Sequence, residues 1–143
     1  MSIVWRSTSL DDAFFFLNQL KGMSDIPSSC LLRQRYIRAC ILFSWLSLEE
    51  FLEYVIRQKE KEGTLKHPVP TRLGDKLQFV LHALRKSHSS DEFQTLRKIR
   101  NRLVHPTSKV DETTLLTQNQ AAEAFRYCSS TIQRLCPGKV AWF

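Results

Sequence analysis

Residues 39–48 read ACILFSWLSL, ten positions without a charge. On both sides of them, apolar residues recur every three or four positions between the start signal Pro27-Ser28-Ser29 and the breaker Gly63. This spacing predicts one long helix across the whole stretch. Because the middle of that helix is apolar nearly all the way round, a single neighbouring helix could not cover it. We therefore expect several neighbours around a central helix, with a second subunit as a further candidate.

Shorter helices are predicted around the long one, from capping residues at their starts and from glycine or proline at their ends. Their approximate bounds are 9–22, 72–86, 89–105 and 118–135. The first begins at Ser9, which is spaced from Asp12 as in a capping box. The helix that ends at 105 stops there because Pro106 disfavours a helical residue before it. Residues 1–143 are therefore predicted to form a single all-α domain, an up-and-down bundle of four to five helices with one long central helix.

Composition limits the class of protein. The chain has 143 residues, of which 43% are hydrophobic and 24% charged, as in a globular domain and unlike a disordered segment. The longest uncharged run is about half of the ~20 residues that cross a bilayer, so we expect no membrane span. The N-terminal residues lack the pattern of a secretory signal. Four widely spaced cysteines favour reduced core thiols in a cytoplasmic protein over a zinc or disulfide framework: Cys30, Cys40, Cys128 and Cys136.

The residues that could carry chemistry are concentrated in residues 97–105, RKIRNRLVH. Fixed positive charges alternate there with apolar residues, a pattern that is also typical of a solvated helix face. At the predicted helix end, the helix dipole favours the charged form of His105 and the nearby arginines favour its neutral form. A histidine that exists in both forms beside a guanidinium is what metal-free RNA cleavage needs, because a proton must move and phosphoryl charge must be held.

The pattern Arg100-Asn101-x-x-x-His105 resembles the signature of the HEPN superfamily (higher eukaryotes and prokaryotes nucleotide-binding). The likeness in helix pattern extends over most of residues 27–135. The resemblance implies a metal-independent endoribonuclease without a cofactor, which acts as a homodimer with one composite cleft and leaves 2′,3′-cyclic phosphate ends. It also implies a toxin of a toxin–antitoxin or phage-defence system, with RNA as substrate and an antitoxin or regulatory protein as a further partner.

The resemblance also implies roles for individual residues. Arg100 would hold the scissile phosphate, His105 would act as general acid or base, and Asn101 would orient His105 or the helix end. The other cations of the segment would add affinity for RNA: Arg97, Lys98 and Arg102. This fits the formal charge of +7, from 21 Lys and Arg against 14 Asp and Glu.

Members of the superfamily often add an acidic residue from the earlier long helix. The candidates are Glu49, Glu50 and Glu53, and ordinary surface charge is an alternative interpretation of all three. Glu50 is preferred because it follows Phe43 by seven residues and Leu46 by four, on a stripe that is predicted to face inward.

Two other functions stay open at this level. One is a catalytically inactive HEPN-like module that binds nucleotides or a partner protein. The other is an unrelated helical adaptor whose basic helix contacts nucleic acid or an acidic partner. One position also departs from toxins of the superfamily that AMP transfer silences, because they often carry tyrosine two residues after the histidine, where this chain has Thr107.

Overall fold

The computed structural model describes residues 4–5, 7–27, 29–63, 70–84, 86, 90–104, 115–136 and 139–140. These residues form five helices: α1 (Thr8–Lys21), α2 (Leu31–Lys61), α3 (Leu73–Ala83), α4 (Ser90–Val104) and α5 (Gln118–Leu135). They also form two-residue strands, β1 (Val4–Trp5) and β2 (Lys139–Val140), which pair in parallel. The predicted all-α class with one long central helix is confirmed.

The long helix α2 is the element against which the others pack. Near its middle, Trp45 is only 1% exposed. Its ring lies 5.8 Å from that of Phe93 on α4 and 5.9 Å from that of Tyr127 on α5. Trp45 thus joins three helices in one core. None of the helices in the described part of the chain, including the 31-residue α2, combines the length and the apolar composition that a membrane span requires.

One face of α2 is left open to solvent by the described residues. Leu46 is 42% exposed and Glu50 is exposed as well. The spacing of Phe43, Leu46 and Glu50 predicts an inward stripe, but Leu46 and Glu50 face outward because α2 buries the opposite side of the helix instead. We call this face the outer stripe; its exposed members are Arg35, Arg38, Leu46 and Glu50, and its half-buried members are Ala39, Leu42, Phe43, Glu49 and Glu53.

The start of α1 differs from the predicted capping box. Ser7, not Ser9, is the N-cap, and its hydroxyl accepts a hydrogen bond from the Leu10 amide at 3.1 Å. The Ser9 hydroxyl instead donates to Oε1 of Glu50 at 2.8 Å, and the Ser7 hydroxyl donates to Oε2 of the same side chain at 3.3 Å. Ser9, which the local pattern assigns to the N-cap, therefore binds Glu50 of α2 instead.

Replacing Ser7 with alanine is expected to lower the free energy of unfolding by about 1 kcal/mol, the usual cost of removing an N-cap. Ser7 is buried, so water cannot easily replace its hydroxyl. The neighbouring Thr8 is exposed, and Thr8→Ala serves as the matched control with little expected change. Urea denaturation of both variants measures the difference, and equal losses would contradict the cap assignment.

The cysteines fall into two groups. Cys40 and Cys128 are buried, as predicted for core thiols, whereas Cys30 and Cys136 are half-buried, and all four are free. Burial raises the pKa of the Cys40 thiol to about 12, against the partial effect of a hydrogen bond with Ser44. Burial likewise raises the pKa of Cys128 well above its ordinary value. The two buried thiols are therefore kept neutral in the folded protein.

The stability of the fold is expected to fall in alkaline solution. Burial raises the pKa of Tyr127 from 10.0 to about 12, so the folded state holds this proton more tightly than the unfolded state does. The contribution of this tighter proton binding to the free energy of unfolding is complete below pH 10. It is lost as the pH rises toward 12, at up to about 1.4 kcal/mol per pH unit. Tyr127→Phe should make the decline shallower in denaturant titrations at successive pH values. An unchanged slope would contradict the burial effect.

Candidate functional site

The packing of α4 fixes which way its polar residues point. Phe93 and Leu96 are buried, and Ile99 and Leu103 pack against the core. This apolar face sets the rotation of the helix, because residues three and four apart lie on one side. Arg100, between two of these core residues, is left at the edge of the contact with α2.

Arg100 is held by two neighbours. Its Nη1 donates to Oδ1 of Asn101 at 3.0 Å, and its Nη2 donates to Oε1 of Glu49 on α2. The side chains of Arg100 and Glu49 are only 18% and 30% exposed, so this ion pair is partly shielded from solvent. Partial burial makes such a charged hydrogen bond stronger than a surface pair. The guanidinium is thus oriented before any ligand binds.

The three candidate carboxylates of α2 have different partners. Glu49 pairs with Arg100 of α4. Glu50 accepts hydrogen bonds from Ser7 and Ser9 at the start of α1. Glu53 pairs with Lys76 of α3. Successive residues of a helix are turned by about 100°, so Glu49 points toward Arg100 of α4 and Glu50 points toward the start of α1. The structure therefore brings Glu49 to the arginine, and places Glu50, the preferred candidate, elsewhere.

Arg100 and Asn101 line a polar cleft between α3 and α4 with a volume of about 380 Å³. The other lining residues are Glu49, Arg97 and the segment 71–76 at the start of α3. We call this the α3–α4 cleft. It contains four cations, Arg72, Lys76, Arg97 and Arg100, against two carboxylates, Glu49 and Asp75. The cleft is therefore suited to a negatively charged group such as a phosphate.

Gly74 allows Arg97 to lie close to the start of α3. A Cβ atom at Gly74 would be 2.8 Å from Nη1 of Arg97. The guanidinium of Arg97 also stacks on the ring of Phe93, with its carbon 5.9 Å from the ring centre. These two contacts place Arg97 in the cleft beside Arg100.

The sequence motif did not indicate every residue of the cleft. Arg72, Gly74 and Lys76 lie more than twenty positions before Arg100, and no local pattern connects them with it. Of the predicted RNA-binding residues, Arg97 lines the cleft. Lys98 and Arg102 are exposed on α4 and are not among the lining residues.

His105 lies outside the described residues, together with Pro106 and Thr107. The last described residue of α4 is Val104, which directly precedes His105 in the chain. The structure thus brings Arg100, Asn101 and Arg97 together and adds Glu49 to them. The role of His105 as general acid or base stays a prediction from the sequence.

Within the described ranges there is no group of three or more histidine, cysteine, aspartate or glutamate side chains that could hold a metal ion. No family model, no curated protein and no solved structure matches this chain. The side chains of the α3–α4 cleft can bind and orient an anionic group.

Proposed function

We propose that the chain is a metal-independent endoribonuclease of the HEPN type, which cleaves RNA in the α3–α4 cleft. The observation that carries this proposal is the position of Arg100 and Asn101. Both motif residues line a cleft with further cations, and they are bonded to each other. This position favours a binding role for the motif over the alternative that it belongs to an ordinary solvated helix face.

Arg100 is suited to hold the scissile phosphate. Its guanidinium has five N–H donors in a planar fork. In the described part of the chain, one donor is used by Asn101 and one by Glu49. The remaining donors are available to phosphoryl oxygens, whose negative charge grows in the transition state. In this proposal Glu49 acts as a positioning residue, because its carboxylate bonds the arginine and would repel a phosphate.

His105 supplies the proton transfer in this proposal. The 2′-hydroxyl of the ribose loses its proton to a base as its oxygen bonds to phosphorus. The bond from phosphorus to the 5′-oxygen breaks, and that oxygen takes up a proton. The products are a 2′,3′-cyclic phosphate and a 5′-hydroxyl. A neutral imidazole serves the first transfer and an imidazolium serves the second.

The test is incubation of the purified protein with total RNA in the presence of EDTA. Cleavage is expected, and end analysis of the products should find 2′,3′-cyclic phosphates and 5′-hydroxyls. Loss of cleavage in His105→Ala supports the assigned role of the imidazole. Cleavage that needs a divalent cation, or that His105→Ala leaves unchanged, would overturn the proposal.

A second candidate is a catalytically inactive module that binds a nucleotide in the same cleft. Its volume of about 380 Å³ lies in the range of small-ligand sites, and the ion pair with Glu49 already neutralises Arg100. Binding of RNA or a nucleotide without any cleavage, weakened by Arg72→Ala, would favour this candidate over the ribonuclease.

We further propose that the ribonuclease is a cytoplasmic toxin of a toxin–antitoxin or phage-defence system, restrained by an antitoxin or regulatory protein and acting as a homodimer. Growth should arrest when the wild-type chain is expressed, and His105→Ala should relieve the arrest. A protein that cleaves RNA in the test tube but leaves growth unaffected at high expression would contradict the toxin role.

Adding a methyl group at Gly74 is expected to weaken RNA binding without loss of stability. The Cβ atom would displace the end of the Arg97 side chain, and alanine is a better helix former than glycine. Because the displaced guanidinium no longer reaches a phosphate, the slope of log affinity against log salt concentration should become shallower by about one.

Fluorescence anisotropy with a 2′-deoxy oligonucleotide, which lacks the attacking hydroxyl, measures the effect of Gly74→Ala without cleavage. Gly22→Ala is the matched control, because a Cβ atom there meets its nearest neighbour at an ordinary 3.5 Å. Equal affinities of the two variants would show that Arg97 makes no contact with nucleic acid.

A further inference from the structure

The α3–α4 cleft contains two arginines that are one helical turn apart on α4. Arg97 and Arg100 both line the cleft and are both half-buried. Residues three positions apart on a helix lie on the same side, with Cβ atoms about 5–6 Å from each other. Both guanidinium groups can therefore meet one ligand in the same cleft.

The two guanidinium groups are held toward different helices. Arg100 bonds Glu49 of α2. Arg97 instead lies against α3, with its Nη1 atom 2.8 Å from the position that a Cβ atom of Gly74 would take. The ring of Phe93 supports Arg97 from α4 itself. Because separate contacts hold the two groups, they offer two positions for an anion rather than one.

The free positive charge of the cleft lies at the Arg97 end. Two of the four cations are already paired with a carboxylate of α2: Arg100 and Lys76. In the described part of the chain, no carboxylate forms an ion pair with Arg97 or with Arg72 at the start of α3. The cleft also includes the exposed Asp75, which offsets one of these two charges. A net positive charge is left to attract a second phosphate.

We propose that the α3–α4 cleft binds two consecutive phosphates of a nucleic-acid strand. The first lies at Arg100 and the second lies between Arg97 and Arg72. That the first is the scissile phosphate rests on the proposed function. Consecutive phosphates of a strand are separated by one ribose, which suits two guanidinium groups held apart in a cleft of about 380 Å³. The phosphates of a nucleoside diphosphate share one oxygen and are closer together.

Two phosphate positions make the cleft selective for a strand. A ligand with a phosphate on both sides of one ribose bonds both guanidinium groups, whereas a mononucleotide bonds only one. Each such bond is charge-assisted on both sides. The second phosphate is therefore expected to raise affinity by about 10- to 100-fold.

The test compares three nucleotides by titration calorimetry of the full chain at one salt concentration. They are adenosine 3′,5′-bisphosphate, AMP and ADP. The wild type should bind the 3′,5′-bisphosphate about 10- to 100-fold more tightly than AMP, and ADP should gain much less. A bisphosphate that binds no better than AMP would overturn the proposal. ADP that binds as tightly as the bisphosphate would overturn the separation of the two positions by a ribose.

Variants assign the second position to its residues. Arg97→Ala and Arg72→Ala should each lower the ratio of bisphosphate affinity to AMP affinity. Arg134→Ala is the matched control, because it removes the same charge from an exposed position of α5 outside the cleft. Circular dichroism verifies the helices, and the exposed Arg72 keeps the test decisive if Arg97→Ala is unfolded. A ratio that neither cleft variant lowers, or that Arg134→Ala lowers equally, would overturn the second position.

Cleavage assays in EDTA distinguish an RNA strand from a free nucleotide as the ligand. A terminal phosphate added to a dinucleotide, at the 5′ end in one substrate and at the 3′ end in another, should raise kcat/KM for one of them. Arg97→Ala should remove this difference. A preference for the bisphosphate without any cleavage supports the two positions and removes the ribonuclease proposal. Cleavage without that preference, and without acceleration by either terminal phosphate, does the reverse.

Discussion

Replacing Arg100 with alanine is expected to slow RNA cleavage by about 100- to 1,000-fold, the usual cost of removing one group that stabilises transition-state charge. The guanidinium lies in the α3–α4 cleft with its orientation set by Asn101 and Glu49. Alanine removes every donor of the fork. Arg100→Lys should restore only part of the rate, because an ammonium cannot replace the planar fork. Single-turnover cleavage of a labelled RNA in EDTA gives the rates.

Glu49→Gln separates orientation from charge at the same site. The amide can still accept one hydrogen bond from Arg100, but it no longer neutralises the guanidinium. We expect tighter binding of RNA and a smaller loss of rate than in Arg100→Ala. Glu92→Gln is the matched control, because Glu92 also pairs with an arginine of another helix, Arg126, and lies outside the lining of the cleft.

Two outcomes of these cleavage-rate measurements would contradict the assigned roles. Arg100→Ala could cut RNA as fast as the wild type, which would remove the arginine from the reaction. Alternatively, Glu92→Gln could slow cleavage as much as Glu49→Gln, which would show a general effect of breaking an interhelical ion pair. The first outcome would contradict the proposal that the α3–α4 cleft is the place of catalysis, whereas the second would contradict only the positioning role of Glu49.

Replacing Trp45 with alanine is expected to lower the free energy of unfolding by about 3–5 kcal/mol, as for other large buried aromatic residues. The indole lies between Phe93 of α4 and Tyr127 of α5 and is almost completely buried. Its removal would leave a cavity where three helices meet. Because domains are stable by about 5–15 kcal/mol, this variant should be close to unfolding at room temperature.

Chemical denaturation monitored by circular dichroism measures this loss. Phe15→Ala is the matched control, because Phe15 is a 54% exposed aromatic residue of α1. A change below about 1 kcal/mol is expected there, as for most surface substitutions. A similar loss in both variants would mean that Trp45 does not occupy the centre of the core.

The helices could be predicted from the sequence because their signals are local. The predicted range 118–135 coincides with α5, and the other helices begin and end within about three residues of their predicted bounds. Apolar spacing, prolines and capping residues act over one or two turns, so they can be recognised without knowing the fold. The pairing of β1 with β2 was not predicted, because its partners lie at opposite ends of the chain.

The candidate site could be predicted only in part from such local signals. Arg100 and Asn101 stand in a short local motif, and so does His105, which lies outside the described residues. The choice among Glu49, Glu50 and Glu53 depended on which side of α2 faces the interior. In a run that is apolar nearly all the way round, spacing cannot identify that side. The contacts with Arg100, Ser9 and Lys76 identify it instead.

By itself, the order of residues determined an all-α chain built on one long helix, and it singled out a cationic segment at the end of α4. Only the tertiary structure decided that Glu49 orients Arg100, that Arg72 and Lys76 join the cleft, and that Leu46 stays at the surface. The physical reason is that helix formation depends on neighbours three or four positions away, whereas a cleft is made by side chains that meet only after the helices have packed.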